Sequence, residues 1–182
     1  MLFPYLATKR TTLRPTPIVN GELTYDLLEQ AGLQKLPDRD DFISTHTTAI
    51  AMQFMVEQRG DVVGISSLRH LDMAGGHVRA DIFTDPSKAR HGVPMEVMFL
   101  TVNYAFAMWN IRKVYFWTPD DGFGSFAQDQ LLIRREGTLP DHLFTDGQPA
   151  DMHIFAIYRD QWDEHGLRLL ERLVPAEATA AV

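Results

Sequence analysis

Two periodicities of apolar and polar positions alternate along the chain, and the switches between them predict an ordered series of strands and helices. Thr11 to Ile18 is β-branched at intervals and contains Pro15 and Pro17, which predicts a first strand at a sheet edge. Asn20-Gly21-Glu22-Leu23 opens a helix, with Asn20 as cap, an apolar face of Leu23, Leu27, Leu28 and Ala31, and Gly32 as its stop. Residues 33 to 47 are polar, with Pro37 and three Asp, and read as loop. Thr48 to Glu57 and Val62 to Leu68 then form a hairpin around Gln58-Arg59-Gly60-Asp61. After the turn at Gly75-Gly76, His77 to Thr84 sets His77, Arg79, Asp81 and Phe83 against Val78, Ala80, Ile82 and Thr84, a strand with two distinct faces.

A polar loop, Asp85 to Glu96, runs into the long apolar stretch Met95 to Trp109, with Pro94 placed for a first helical turn. That stretch is interrupted by Glu96, Thr101 and Asn103 and is shorter than the roughly 20 residues a bilayer requires, so it predicts a buried helix and no membrane span. Arg112 to Trp117 is a further strand, Asp120 to Gly124 breaks the chain, and Ser125 to Ile133 suits a short helix. Asp146-Gly147 predicts a turn between strands at Leu139 to Phe144 and Met152 to Tyr158. The apolar start, Met1 to Leu6, has no preceding basic residues and is too short for a leader, so it reads as an arm that packs on the domain. No repeat or linker divides the chain, which gives one domain over residues 1–173 and a frayed tail over 174–182.

Charge and composition narrow the chemistry. A net charge of -7 argues against a phosphate-backbone partner, hence no nucleic acid, and favours encounter with a cationic amine. The absence of Cys removes thiol catalysis and Cys-based metal sites and fits a cytoplasmic location. Seven His occur without metal-ligand spacing; His142 and His153 would sit only diagonally across the last hairpin, so no metal is expected. Gly122-Phe123-Gly124 lacks the remainder of a dinucleotide fingerprint and reads as a turn. His70 and Asp72, just after a strand, read as an exposed loop pair first and as a second choice of proton-accepting residues, whereas Phe54, Phe116 and Trp117 are packing residues that could also line a pocket at the sheet edge. The loop that enters the buried helix is the informative element, because a helix N-terminus offers unpaired N–H groups and a positive dipole end to an anion.

Three stretches give these features a family. Asp85-Pro86 through Glu96, Tyr104-Ala105-Phe106 followed by Ile111-Arg112-Lys113-Val114, and Arg135-Glu136-Gly137-Thr138-Leu139 continuing to Asp151-Met152-His153-Ile154-Phe155-Ala156-Ile157 and Trp162 resemble, in order and spacing, the GNAT superfamily of acyl-CoA N-acyltransferases. Within it they are most similar to the branch of ribosomal-protein alanine N-acetyltransferases. The resemblance covers about residues 9 to 162 and implies a mixed α/β fold, a single domain whose mostly antiparallel central sheet splays between two parallel strands, at residues 77 to 84 and 112 to 117.

The same resemblance implies acetyl-CoA or another acyl-CoA as co-substrate and a small-molecule or peptide amine as acceptor, with a homodimer compatible with the family. It places the pyrophosphate against Lys88, Arg90, His91, Gly92 and Val93, the oxyanion near the strand end Phe83-Thr84, and a cofactor contact at Asp121. Asp81, mid-strand beside the implied thioester, is the candidate base; pairing with Arg79 or a neighbouring strand is the competing role. The family loop, Arg/Gln-x-x-Gly-x-Gly/Ala, retains only its central glycine here, with Ala89, Gly92 and Pro94 at those positions. Pro94 has no N–H to give a phosphate. Gln128 stands where many members have the Tyr that protonates the leaving thiolate. Two functions are therefore carried forward: an N-acyltransferase, and a non-catalytic GNAT-fold binding or regulatory module.

Overall fold

A computed structural model describes residues 5–16, 21–34, 36–46, 49–123, 132–145 and 147–174. Seven strands form one sheet: β1 (Thr11–Pro15), β2 (Ile50–Gln58), β3 (Asp61–Asp72), β4 (His77–Thr84), β5 (Lys113–Thr118), β6 (Arg134–Thr145) and β7 (Gln148–Tyr158). Their order is β1-β2-β3-β4-β5-β7-β6. Every neighbouring pair is antiparallel except β4 and β5, which run parallel because the chain crosses between them through the loop after Thr84 and helix α3 (Val93–Met108). β4 and β5 pair only at His77–Lys113, Val78–Val114 and Arg79–Tyr115, and beyond these positions they part.

Alternation along the strands separates two layers. Val78 and Ala80 of β4, Val114 and Phe116 of β5, and Phe155 and Ile157 of β7 face α3, whose apolar surface is buried nearly all round. The same core takes in Trp162 and Leu170 of the C-terminal segment, which runs from Arg159–Gln161 through a π-helical turn at Trp162–Gly166 into α4 (Leu167–Leu173). On the opposite face, α1 (Gly21–Gln30) and α2 (Arg39–His46) cover the β2–β3 end of the sheet through a smaller cluster that includes Tyr25, Leu28, Phe42, Met55 and Ile65. Phe83, from the outward row of β4, packs at its edge.

Four expectations change. Residues 39–46 are helical where loop was expected: the Asp38 carboxylate accepts the N–H groups of Asp40 and Asp41 at 2.9 and 3.2 Å, and Phe42 docks edge-on against Tyr25. Helix α1 buries Thr24, Tyr25 and Leu28, while Leu23 and Leu27 are exposed, because the helix leans on α2 through Gly21, where a Cβ would meet the Ile43 backbone at 3.0 Å. The last hairpin begins earlier than its apolar residues suggest, at Arg134, and is bulged between Arg135 and Gly137 and between Leu139 and Leu143. Val174, assigned to the frayed tail, is buried and donates its N–H to the Leu170 carbonyl. Most of Ser125 to Ile133 and the rest of the tail lie outside the described residues. No helix among the described residues is long and apolar enough to cross a membrane.

One buried carboxylate ties the sheet edge to the central helix. Glu96, in the first turn of α3, is 1% exposed and accepts hydrogen bonds from the hydroxyls of Thr8 and Thr11 at 2.5 and 2.8 Å, and from the Arg10 guanidinium. A carboxylate there suits the positive end of the helix, and the bonds offset its removal from water. Replacing Glu96 with Gln is expected to cost about 1.5 to 3 kcal/mol, the range for hydrogen bonds to a charged group. Urea unfolding followed by circular dichroism measures this, and an unchanged midpoint would contradict the assigned role.

Candidate active site

The loop between β4 and α3 is shaped by its own polar groups. Asp85 is fully buried; its carboxylate accepts from the Ser87 N–H and hydroxyl and from the Gln34 N–H, and its carbonyl accepts from the N–H groups of Lys88 and Ala89. Gly92 closes the loop at φ 89°, a conformation that disfavours any residue with a Cβ, and Val93 and Pro94 start the helix. No side chain caps this end. Among the described residues the N–H groups of His91, Gly92 and Met95 have no acceptor, whereas that of Val93 is bonded to the Arg90 carbonyl. Thr84, Ala89, Arg90, His91, Gly92 and Met95 line a groove of about 540 Å³ beside them.

The cationic side chains expected here divide. Arg90 and His91 are exposed in the groove, and no side-chain partner is recorded for either among the described residues. Lys88 turns away, giving its Nζ to the Ala31 carbonyl at 2.8 Å, where it completes the C-terminal end of α1. Val93 is fully buried, and its occupied N–H leaves it no donor for an anion. Asp121 is exposed and bonded to Arg135, with His153 at 3.9 Å, so its partners stand on β6 and β7 rather than on the loop. Gln128 lies outside the described residues. Arg10 is the residue that local pattern reading missed: its guanidinium reaches across from the sheet edge, and Nη2 lies 3.1 Å from the place a Gly92 Cβ would occupy.

On the other face, where β4 and β5 begin to separate, His70, His77, Arg79, Tyr115, Trp117 and Glu136 line a pocket of about 520 Å³. A larger hollow of about 620 Å³, around Gly76, Arg112 and Asp163, lies at the opposite end of these strands, away from the gap. Asp81 follows Arg79 on the outward row of β4 and is paired twice: Oδ1 accepts from Arg79 at 2.8 Å and Oδ2 from the buried Arg69 of β3 at 3.1 Å. The competing role of Asp81 is thus the one its contacts display. Phe54 and Phe116 are core residues, and only Trp117 of the three aromatics reaches the pocket. His142 stacks edge-on to Trp117, whereas His153 is held at Nδ1 by Arg135 and Thr138. No cluster of metal-ligating side chains occurs among the described residues.

Glu136 also escaped the sequence reading as a site residue, because the bulge between Arg135 and Gly137 that re-aims it leaves no mark in the alternation. It accepts from Lys113 Nζ at 2.9 Å and from the Tyr158 hydroxyl. Burial pushes its carboxyl up, but hydrogen bonds from Tyr158, Lys113 and Tyr115 outweigh that effect and hold it below the ordinary value of 4.5. Lys113 shows the mirror case: burial lowers its ammonium, while Tyr115 and Glu136 raise it above 10.5.

Comparison with known proteins agrees with this architecture. A solved chimera of the spermidine N-acetyltransferase SpeG from Vibrio cholerae and hSSAT superposes with a TM-score of 0.65 at 17% identity, over 86% of this chain and 100% of that one. A GCN5-related N-acetyltransferase from Brucella melitensis gives 0.65 at 19% identity, over 94% of this chain and 86% of its own. A probable GNAT-family acetyltransferase from Chromobacterium violaceum gives 0.61 at 17%, over 87% and 92%. No family model matches the sequence, and neither does any curated protein. The chain therefore has the GNAT fold, which the sequence resemblance implied; the ribosomal-protein branch finds no support among these neighbours.

The pocket pair yields a test with a definite sign. The lowered carboxyl of Glu136 makes its contribution full above pH 4.5 and lost as the pH falls through its folded value. The raised ammonium of Lys113 makes its contribution full below pH 10.5 and lost as the pH rises through its folded value. Glu136→Gln should therefore destabilise by on the order of 1 kcal/mol from about pH 5.5 to 9.5, with the difference shrinking at both extremes. Unfolding midpoints of the two proteins across pH measure it; a difference that does not vary with pH would refute the coupling.

Proposed function

We propose that the protein is an acyl-CoA-dependent N-acyltransferase, most simply an acetyltransferase, that acts on a primary amine. The observation that carries this reading is the parting of β4 and β5 after three paired positions, with an anion-ready loop on one side of the gap and a pocket on the other. The GNAT fold supports it, and the structural neighbours bear names of N-acetyltransferases. Acceptorless N–H groups at His91, Gly92 and Met95 and the uncommitted side chains of Arg90 and His91 suit the pyrophosphate of acyl-CoA. Thr84 borders the same groove, which supports the strand end Phe83-Thr84 as the place for the thioester carbonyl. Use of acyl-CoA would put the protein in the cytoplasm.

In this reading the amine nitrogen attacks the thioester carbonyl carbon, the C–N bond forms, and the C–S bond breaks as the tetrahedral oxyanion collapses. The proton leaves the nitrogen, and the thiolate carries away the electron pair. Holding the reactants together is the main contribution asked of the protein. Asp81 has both oxygens on guanidinium groups, so we assign it the positioning of Arg79 and pass the amine proton to water.

The second reading, a non-catalytic module on the same fold, has its own supporting observations: Pro94 lacks an N–H, the Val93 N–H is used internally, and Asp121 faces β6 and β7.

Acetyl-CoA at 100 times its dissociation constant is expected to add about 2.7 kcal/mol of stability, read as a rise in unfolding temperature. Arg90→Ala should weaken that binding by about 1.5 to 3 kcal/mol. No shift with acetyl-, longer acyl- or free CoA would discard both readings, and binding without thiol release across an amine panel would select the module.

Asp81→Asn separates the two roles of that carboxylate. Positioning predicts a rate within about tenfold of the parent and an unchanged pH profile, whereas a general base predicts a loss of roughly 10² to 10⁴-fold.

A further inference from the structure

The pocket at the β4–β5 gap has an apolar floor. Tyr115 and Trp117 are consecutive outward residues of β5, and Ile154 of β7 stands directly opposite Trp117 in the sheet. All three are half-buried and border the hollow. Arg79 lies over one face of Trp117, its guanidinium carbon 5.0 Å from the ring centre, and His77 stands edge-on to Tyr115 at 5.4 Å, so flat groups also make up the β4 side. A hollow of about 520 Å³ with walls of this kind takes the body of a small ligand, and each apolar group it covers gains the free energy of leaving water.

Of the Arg, Lys, Asp and Glu side chains among the described residues, Arg79 and Glu136 border the pocket, and they are opposite in sign. Each is already matched. Arg79 gives its Nε–H to Asp81 at 2.8 Å. Glu136 accepts from Lys113 Nζ on both oxygens, at 3.1 and 2.9 Å, and from the Tyr158 hydroxyl on one of them. A ligand carboxylate at Arg79 would stand beside Asp81, and a ligand ammonium at Glu136 would stand beside Lys113. Each is an approach of like charges to a pair that is costly to break. A carboxylate and a second ammonium are therefore both opposed here, whereas an uncharged apolar body is not. The reacting nitrogen gains as well, since it must shed its proton before attack and an engaged Glu136 does little to hold the ammonium form.

We infer that the acceptor is a primary monoamine on an uncharged, apolar body, of the arylalkylamine kind, and neither a polyamine nor an amino acid. The inference rests on the acyltransferase reading and adds the substrate class to it. Trp117, Tyr115 and Ile154 hold the body, which meets aromatic rings at the distances such rings favour, and the internal pairs at Arg79 and Glu136 turn further charge away. The net charge of -7 belongs to the chain as a whole; the side chains at the pocket decide which amine stays.

The experiment compares phenylethylamine with phenylalanine, which adds a carboxylate to the same body, with ethanolamine, which lacks the apolar body, and with spermidine. It reads thiol release at saturating acetyl-CoA and, separately, amine binding by calorimetry with and without CoA. Phenylethylamine is expected to exceed each of the other three by about tenfold or more in kcat/KM. Trp117→Ala should reduce its preference over ethanolamine by about tenfold, through KM rather than kcat. Ile154→Thr should reduce it by several-fold, which keeps the test decisive if loss of Trp117 disturbs the fold. Phenylalanine, ethanolamine or spermidine used as well as phenylethylamine overturns the inference, as does a full preference retained by both folded variants. So does the failure of a protein that binds acetyl-CoA to bind or use phenylethylamine. If CoA itself does not bind, the acyltransferase reading fails on that measurement, and calorimetry with phenylethylamine against phenylalanine still decides the pocket; equal or absent binding of the two overturns it.

Discussion

Three residue pairs hold β4 to β5, and the arrangement of everything else follows from the fact that there are only three. Each strand is secured on its outer side, β4 along β3 and β5 along β7, so the two can separate without either losing its place in the sheet. Val78 and Val114 seal the paired end beneath α3. Beyond it the facing edges have no strand partner, and a parallel connection must travel over the sheet, which brings the N-terminus of α3 to the gap. The buried carboxylate of Glu96 then fixes that helix end to the β1 edge through Thr8, Arg10 and Thr11.

The two sides of the gap are built on opposite principles. At the loop, backbone donors and the side chains of Arg90 and His91 are left uncommitted, the arrangement that receives an anion of fixed shape. In the pocket the charges are paired with one another and stacked on aromatic rings, Arg79 on Trp117 and Lys113 on Tyr115. The structural neighbours that act on spermidine share the frame, but a frame of this kind leaves acceptor choice to the side chains that line it.

Much of the frame was legible. The alternation of His77 to Thr84 gave β4 its bounds and both its faces, and the long, mostly apolar stretch from Met95 with Pro94 before it gave α3 to within a few residues. Asp85, Gly92 and Pro94 marked the loop because each has a local reason to be there. Helix α2 was not legible in the same way: its polar composition matched a loop, and the Asp38 cap and the buried Phe42 are what distinguish it among the described residues. The face of α1 was misread because Leu23 and Leu27 satisfy helical spacing, but Gly21 and the approach of α2 decide which side is covered.

Local pattern by itself determined the elements, the buried helix and the candidate loop, since these depend on neighbours three or four positions apart in a helix, alternation in a strand, and backbone rules at glycine and proline. Tertiary structure alone decided which charges cancel. Asp81 is a mid-strand carboxylate in the sequence and an ion partner of two arginines in the fold; Lys88 is a loop cation in one and a cap on a distant helix in the other. Glu136 enters the pocket through a bulge, and Arg10 reaches Gly92 from the far edge of the sheet. Such pairings join residues tens of positions apart, and their energies depend on distance and burial, neither of which a linear pattern encodes.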